Sequence, residues 1–411
     1  MLDGVMHLVT VVMVAVSAIV AFAALRPRLL RNLTWRATVT PLASIIGSGF
    51  LVVAPILAHA AGNWAWLAML VLCLVAYLFG SAIRHNIAVV EPMLDGDAPN
   101  HVKLLERTSE LALTFAYFIS VAYYLNLFAA FALRGAGVDS QFWVRSLSTL
   151  VIASIGVLGL TKGLRGLELI EESAVGLKLG LIAGLTAAMA VFIATAVLGG
   201  DFALPALDHA TGTRELAILL GLIILVQGFE TSRYLGDAYD RETRIRTMRS
   251  AQFISTGIYV GFVLLATPFF TDLAPATGKE TAIIDMLAPI SLAVAPLVIA
   301  VALASQLSAA VADLNGAGGL LSAASNGRVA LGAGYLATTI FAIAITWAAN
   351  IYEIIVYASK AFVIYYGLQC LQAFLGAWSD DSAMRIARLA LFGLGIVIAL
   401  AVLFLGIPAD A

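Results

Sequence analysis

Gly47-Ser48-Gly49 stands in the middle of an apolar run, residues 38–61, that is long enough to cross a bilayer. Glycine costs about 1 kcal/mol against alanine inside a helix, so the pair invites a loss of helix at mid-membrane depth. Freed N–H and C=O groups are tolerated there only beside a cavity or under other protein. Close packing of a second helix on small residues is the other reading of the same motif. A second run, residues 215–239, is interrupted at its centre by Gln227-Gly228-Phe229-Glu230-Thr231-Ser232-Arg233. Hydrocarbon rejects a carboxylate or a guanidinium by about 2.5–3.5 kcal/mol each, so Glu230 and Arg233 must face something polar. Three apart on a helix, they share a face and are expected to pair with each other as a gate or pivot. Two interrupted spans in corresponding positions of two halves point to the central site of a secondary transporter built from inverted repeats.

Other polar residues lie within apolar runs. Lys178 is near the middle of residues 167–198, where burial makes an amine's proton affinity movable; snorkelling to the interface is the alternative. Ser305 and Ser308 share a face of residues 287–314, ahead of Asp313, and offer hydroxyls either to a hard cation or to their own backbone. Tyr117 and Tyr124 are seven apart on one helix face, and Tyr352 and Glu353 begin another run with Lys360 two turns on. These are wall or gate candidates if they are not packing. Ser48 resembles a nucleophile only superficially, since no histidine lies at mid-depth of any run to serve as its base. No His/Cys/Asp cluster has metal-ligand spacing, so no metal or organic cofactor is expected.

The elements that position these groups are set by composition. Of 411 residues, 62% are hydrophobic and 12% charged, with a mean hydropathy of +0.99, which defines an all-α integral membrane protein. A net charge of −2 and the lack of any charge block leave no nucleic-acid partner to expect. Cys73 and Cys370 both fall inside apolar runs and read as small buried hydrophobes. Counting runs of about 20 residues gives about twelve transmembrane helices. Five runs lead from the first interruption to the second, and five follow from it. The chain thus divides into an extra N-terminal helix with a basic loop (1–35), a first repeat (36–199), a second repeat (200–376) and a C-terminal helix (377–411). Arg26, Arg28, Arg31 and Arg36 follow the first run, and the other basic clusters recur in alternate loops. The opposite loops hold only Arg134, Arg145, Arg214 and Lys279. The positive-inside bias places both termini outside a plasma membrane crossed many times.

These residues resemble the amino acid/polyamine/organocation transporter superfamily, which shares the five-plus-five inverted-repeat fold of the bacterial leucine transporter. The resemblance covers roughly residues 36–373 and rests on Gly47-Ser48-Gly49 in the first core helix and Gly228-Phe229-Glu230 in the sixth. It extends to Asp240 and Arg246-Thr247-Met248-Arg249-Ser250-Ala251, which follow the spacing of the family's Pro-x-Arg-Thr-x-Pro-x-Ala loop with arginines, Arg244 and Arg249, at both proline positions. Val175-Gly176-Leu177-Lys178-Leu179-Gly180-Leu181 is similar to the fifth core helix of proton-coupled members, where a lysine amine takes the place of a sodium ion. The resemblance implies a secondary transporter of an amino acid or similar small polar organic solute, working by alternating access with two discontinuous helices. Ile46, Gly47, Ser48 and Gly49 would receive the solute's anionic end, and Gln227, Gly228 and Phe229 its amine, with Phe229 as an apolar lid. Lys178 would carry the coupling proton; Ser305 and Ser308 would complete a sodium site in a sodium-coupled carrier. An inorganic-ion carrier of the same fold and a non-transporting sensor are the other readings.

Overall fold

The structure, a computed structural model, describes residues 2–162, 168–205, 212–270, 280–378 and 383–409. It is helical throughout the bundle. After α1 (Leu2–Ala24) and the short α2 (Pro27–Leu30) come α3 (Leu33–Ala61), α4 (Ala65–Leu94), α5 (Asn100–Gly135), α6 (Gln141–Lys162) and α7 (Glu168–Gly199). The interrupted span begins with α8 (Thr213–Leu220) and continues through 3-10 turns at Ile223–Val226 and Phe229–Tyr234. Then follow α9 (Arg241–Ala266), α10 (Ala282–Leu287), α11 (Val294–Ala324), α12 (Leu331–Ala348), α13 (Ile351–Trp378) and α14 (Arg385–Leu405). Among the described residues, 10 helical stretches are long and apolar enough to cross a membrane. One of these joins α3 and α4, which cross separately, and the interrupted span contains no continuous helix of that length, so the expectation of about twelve crossings is met.

The repeat is visible in the packing. Four helices of the first set lie against their counterparts in the second: α3 on the interrupted span, α4 on α9, α5 on α11 and α6 on α12. The additional helices sit outside this core, α14 against α13 and α1 along α7. Small residues bring α1 close: a Cβ at Gly180 would stand 2.5 Å from Ser17 O, and one at Gly184 2.5 Å from Met13 O.

Only one of the two expected interruptions is present in this conformation. α3 is helical across Gly47 and Gly49 without a break. In lipid an unbroken helix satisfies its own donors and acceptors, and two glycines' worth of propensity, about 2 kcal/mol, is small against the cost of stranding several peptide groups. Close packing is what Gly49 provides, because a Cβ there would meet Leu225 Cβ at 2.6 Å and its Cα at 2.7 Å. The second span does lose its helix. Gln227 is extended (φ −77°, ψ 169°) and Gly228 is left-handed at φ +119°, a region L-residues avoid.

Candidate functional site

The broken backbone of the second span is satisfied by side chains from neighbouring helices. Ser359 of α13 accepts from Ile224 N at 3.0 Å and donates to Gly221 O at 2.7 Å, replacing the bonds a continuous helix would have made. Tyr259 of α9 places its hydroxyl 2.8 Å from Leu225 O and 2.9 Å from Ile45 O. It thereby ties the interrupted span to α3. Gly228 lies directly on α3, since a Cβ there would be 2.6 Å from both Ile45 N and the Ser44 carbonyl carbon.

Around this break is a buried polar centre. Gln227 donates through Nε2 to the Tyr124 hydroxyl at 2.8 Å, while its Oε1 has no partner. Glu230 accepts through one oxygen from Gly228 N at 2.9 Å and from the Tyr366 hydroxyl at 2.8 Å; its Oε1 is buried without a partner. Phe229 is stacked on Tyr366 at 5.0 Å between centroids, and Tyr366 in turn on Phe79 at 5.1 Å. One face of α5 lines this centre. Tyr117, Ser120 and Tyr124 recur at helical spacing, with Tyr124 on Gln227 and Ser120 donating to the carboxylate of Asp313 on α11.

Lys178 is brought to Gly47. A Cβ at Gly47 would stand 3.1 Å from Lys178 Nζ, 3.7 Å from Ala309 Cβ and 3.9 Å from Ser305 Oγ. Lys178, Ser305 and Ser308 are all buried, and Lys178, Ser305, Gln306, Ile46 and Gly47 line a crevice of about 10 Å³, room for about one water. Gln306 contributes a buried Oε1 with no partner. Of the residues expected to take the anionic end of a solute, Ile46, Gly47 and Gly49 are buried in α3; the side chain of Ser48 lies outside the described residues. Because α3 is continuous, its amides at this level are part of the helix rather than an open cradle.

Two expectations are corrected. Glu230 and Arg233 do not pair. Arg233 donates through Nη2 to both carboxylate oxygens of Glu106 near the start of α5, 2.8 Å to each, and through Nη1 to Gln369 Oε1 at 2.7 Å. The 3-10 twist after Gly228 carries the two side chains apart, toward different neighbours. Glu353 does not reach the centre either. It closes a reciprocal cap at the start of α13, accepting from Asn350 N at 2.8 Å while its own N–H donates to Asn350 Oδ1 at 2.9 Å. Tyr352 shares that first turn, about four turns from Tyr366.

Arg233 belongs to a charged cluster at the far end of the bundle. Arg244 is bidentate on Glu91 and donates to Arg233 O at 2.7 Å, and Arg241 pairs with Asp95 and Glu91. The arginines at 241 and 244 thus bind the end of α4 to the start of α9. Asp240 caps α9 by accepting from Thr243 N at 2.8 Å and Thr243 Oγ1 at 2.9 Å, bonds that hold its carboxyl below the usual range. Removing one partner of the buried pair strands a charge. Arg233→Met is therefore expected to cost about 3–5 kcal/mol and to lower the melting temperature sharply, and Glu106→Leu in the same chain should restore most of it. Equal melting of the single and double variants would contradict this.

Tyr259, Ser359, Tyr366 and Gln306 complete the site without a motif to announce them. Their one sequence signal is a hydrogen-bonding side chain inside an apolar run.

A family model described as APC superfamily transporter matches residues 27–406. The chain is 42% identical over 365 residues, 88% of each chain, to an uncharacterized protein of Aquifex aeolicus (strain VF5). Among solved structures it is similar to a Na+-coupled sialic acid symporter in a substrate-bound, outward-open state, with TM-score 0.49, 15% identity, and coverage of 98% of this chain and 95% of that one. This is a multi-pass membrane transporter. The chain belongs to the APC superfamily of transporters.

Proposed function

We propose that the protein moves an amino acid or similar small polar organic solute across the membrane by alternating access, with a proton as the coupling ion. The observation that carries the coupling is the Lys178 amine set against Gly47 and Ser305 in a crevice of about 10 Å³. A fixed ammonium at that position does the work of a bound cation, and an amine that changes protonation links solute movement to pH. The solute's amine end is received by the acceptors of the interrupted span, Gln227 Oε1 and Glu230 Oε1, whose unmet hydrogen bonds are costly until a donor arrives. Its anionic end requires α3 to open at Gly47 and Gly49, a change the two glycines ease by about 1 kcal/mol each and the bound solute must complete by meeting the freed amides.

Sodium coupling is the second reading, favoured by the buried hydroxyls of Ser305 and Ser308 on the same helix. The two separate in proteoliposomes loaded with one gradient at a time. Uptake of amino acids and amines should follow an imposed pH gradient at constant sodium. Accumulation that follows only a sodium gradient would replace the proton, and a solute screen with no flux and no thermal shift would remove the transport reading.

A further inference from the structure

The polypeptide beyond α14 turns back onto the interrupted span. Ile407 donates its backbone N–H to Ala217 O in α8 at 3.1 Å, alongside the bond that Gly221 N makes to the same carbonyl. Ala217 lies in the last turn of α8, and its carbonyl accepts both bonds, one from the helix's own C-cap and one from the returning chain. The fit is close. A Cβ at Gly221 would be 2.5 Å from Ile407 O, and one at Gly406 would be 3.4 Å from Gly221 Cα. Gly406 is buried, and Ala409 packs against the core. The base of this contact is fixed, because α14 lies on α13 and Ser359 of α13 already holds Gly221 O. Pro408 follows and disfavours a helical Ile407, so α14 does not run on through this contact.

We infer that residues 406–407 form a strap that positions the first half of the interrupted span and must release for that face of the transporter to open. This rests on the alternating-access reading, in which one half of the bundle rocks against the other. α8 cannot swing away from α13 while Ala217 O and Gly221 are joined to a segment anchored on α13. Losing the strap shifts the balance toward the conformation open on the α8 face.

The test uses the full chain with Cys73→Ser and Cys370→Ser as background and Leu222→Cys, a buried residue just past the end of α8, as reporter. A membrane-impermeant maleimide is applied from the α8 face of oriented vesicles. Ile407→Pro removes the N–H, and Gly406 already has the extended backbone (φ −62°, ψ 129°) that a following proline requires; Ile407→Val keeps the N–H. Labelling should accelerate about two- to tenfold in Ile407→Pro, the scale of one net hydrogen bond, and return to the parent rate in Ile407→Val. Termination after Leu405 should act in the same direction and serves where the proline variant does not fold. The strap is overturned if labelling responds to solute or gradient yet is equal in parent, Ile407→Pro and the truncated chain. A parent rate that no solute or gradient alters would instead overturn the alternating-access reading.

Discussion

Lys178→Ala is expected to abolish accumulation driven by a pH gradient. With one proton carried per neutral solute, a gradient of one pH unit supports about tenfold accumulation, and the variant's ratio should fall to one. The reasoning is local. The amine stands where a Cβ on Gly47 would be only 3.1 Å away, with Ser305 Oγ beside the same point, and the enclosing crevice of about 10 Å³ holds no more than about one water. Alanine leaves that pocket without a cation. Under the proposed mechanism solute exchange at equal pH draws on the interrupted span and not on the amine, so counterflow should survive. Lys178→Met, which keeps most of the volume, should behave like alanine if charge is what matters. A variant that still concentrates solute tenfold on a pH gradient alone would move the coupling site away from Lys178.

The second large effect is expected at Gly228. Gly228→Ala forces an L-residue to φ +119°, a strain of about 1–3 kcal/mol, and puts a methyl 2.6 Å from the backbone of Ser44 and Ile45. Helix backbone cannot rotate aside as a flexible side chain can, so overpacking adds about 1–3 kcal/mol more. The variant should melt well below the parent and lose solute binding. Gly47→Ala is the informative contrast, since its new methyl meets the movable end of Lys178 rather than backbone. It should fold normally and change pH dependence instead. Equal melting temperatures for Gly228→Ala and the parent would mean that the contact with α3 is not tight.

The centre differs from the far end of the bundle. The arginines at positions 233, 241 and 244 all have carboxylate partners, on Glu106, Asp95 and Glu91. At the interrupted span, by contrast, Gln227 Oε1 and Glu230 Oε1 are buried acceptors left unmet. Unmet acceptors favour arrival of a donor, whereas closed ion pairs favour one conformation of the bundle and must be broken to leave it.

Much of this was legible in the amino-acid order. Apolar runs of bilayer length determine the crossings, because lipid leaves helices as the economical way to satisfy a backbone. A glycine followed by Glu230 and Arg233 at mid-run determines that the second span is interrupted, because charges at that depth require a polar surface. Lys178 was marked by the same rule. Tertiary structure decided the rest. Whether α3 opens at Gly47 and Gly49 depends on what neighbours can offer its peptide groups, and local propensity of about 1 kcal/mol per glycine is too weak to settle that. Arg233 finds Glu106, 127 residues earlier in the chain, rather than Glu230 three residues away, because the left-handed turn at Gly228 and the packing of α5 set the directions of the side chains. Spacing along a chain fixes which residues share a helix face; only the folded bundle fixes what that face meets.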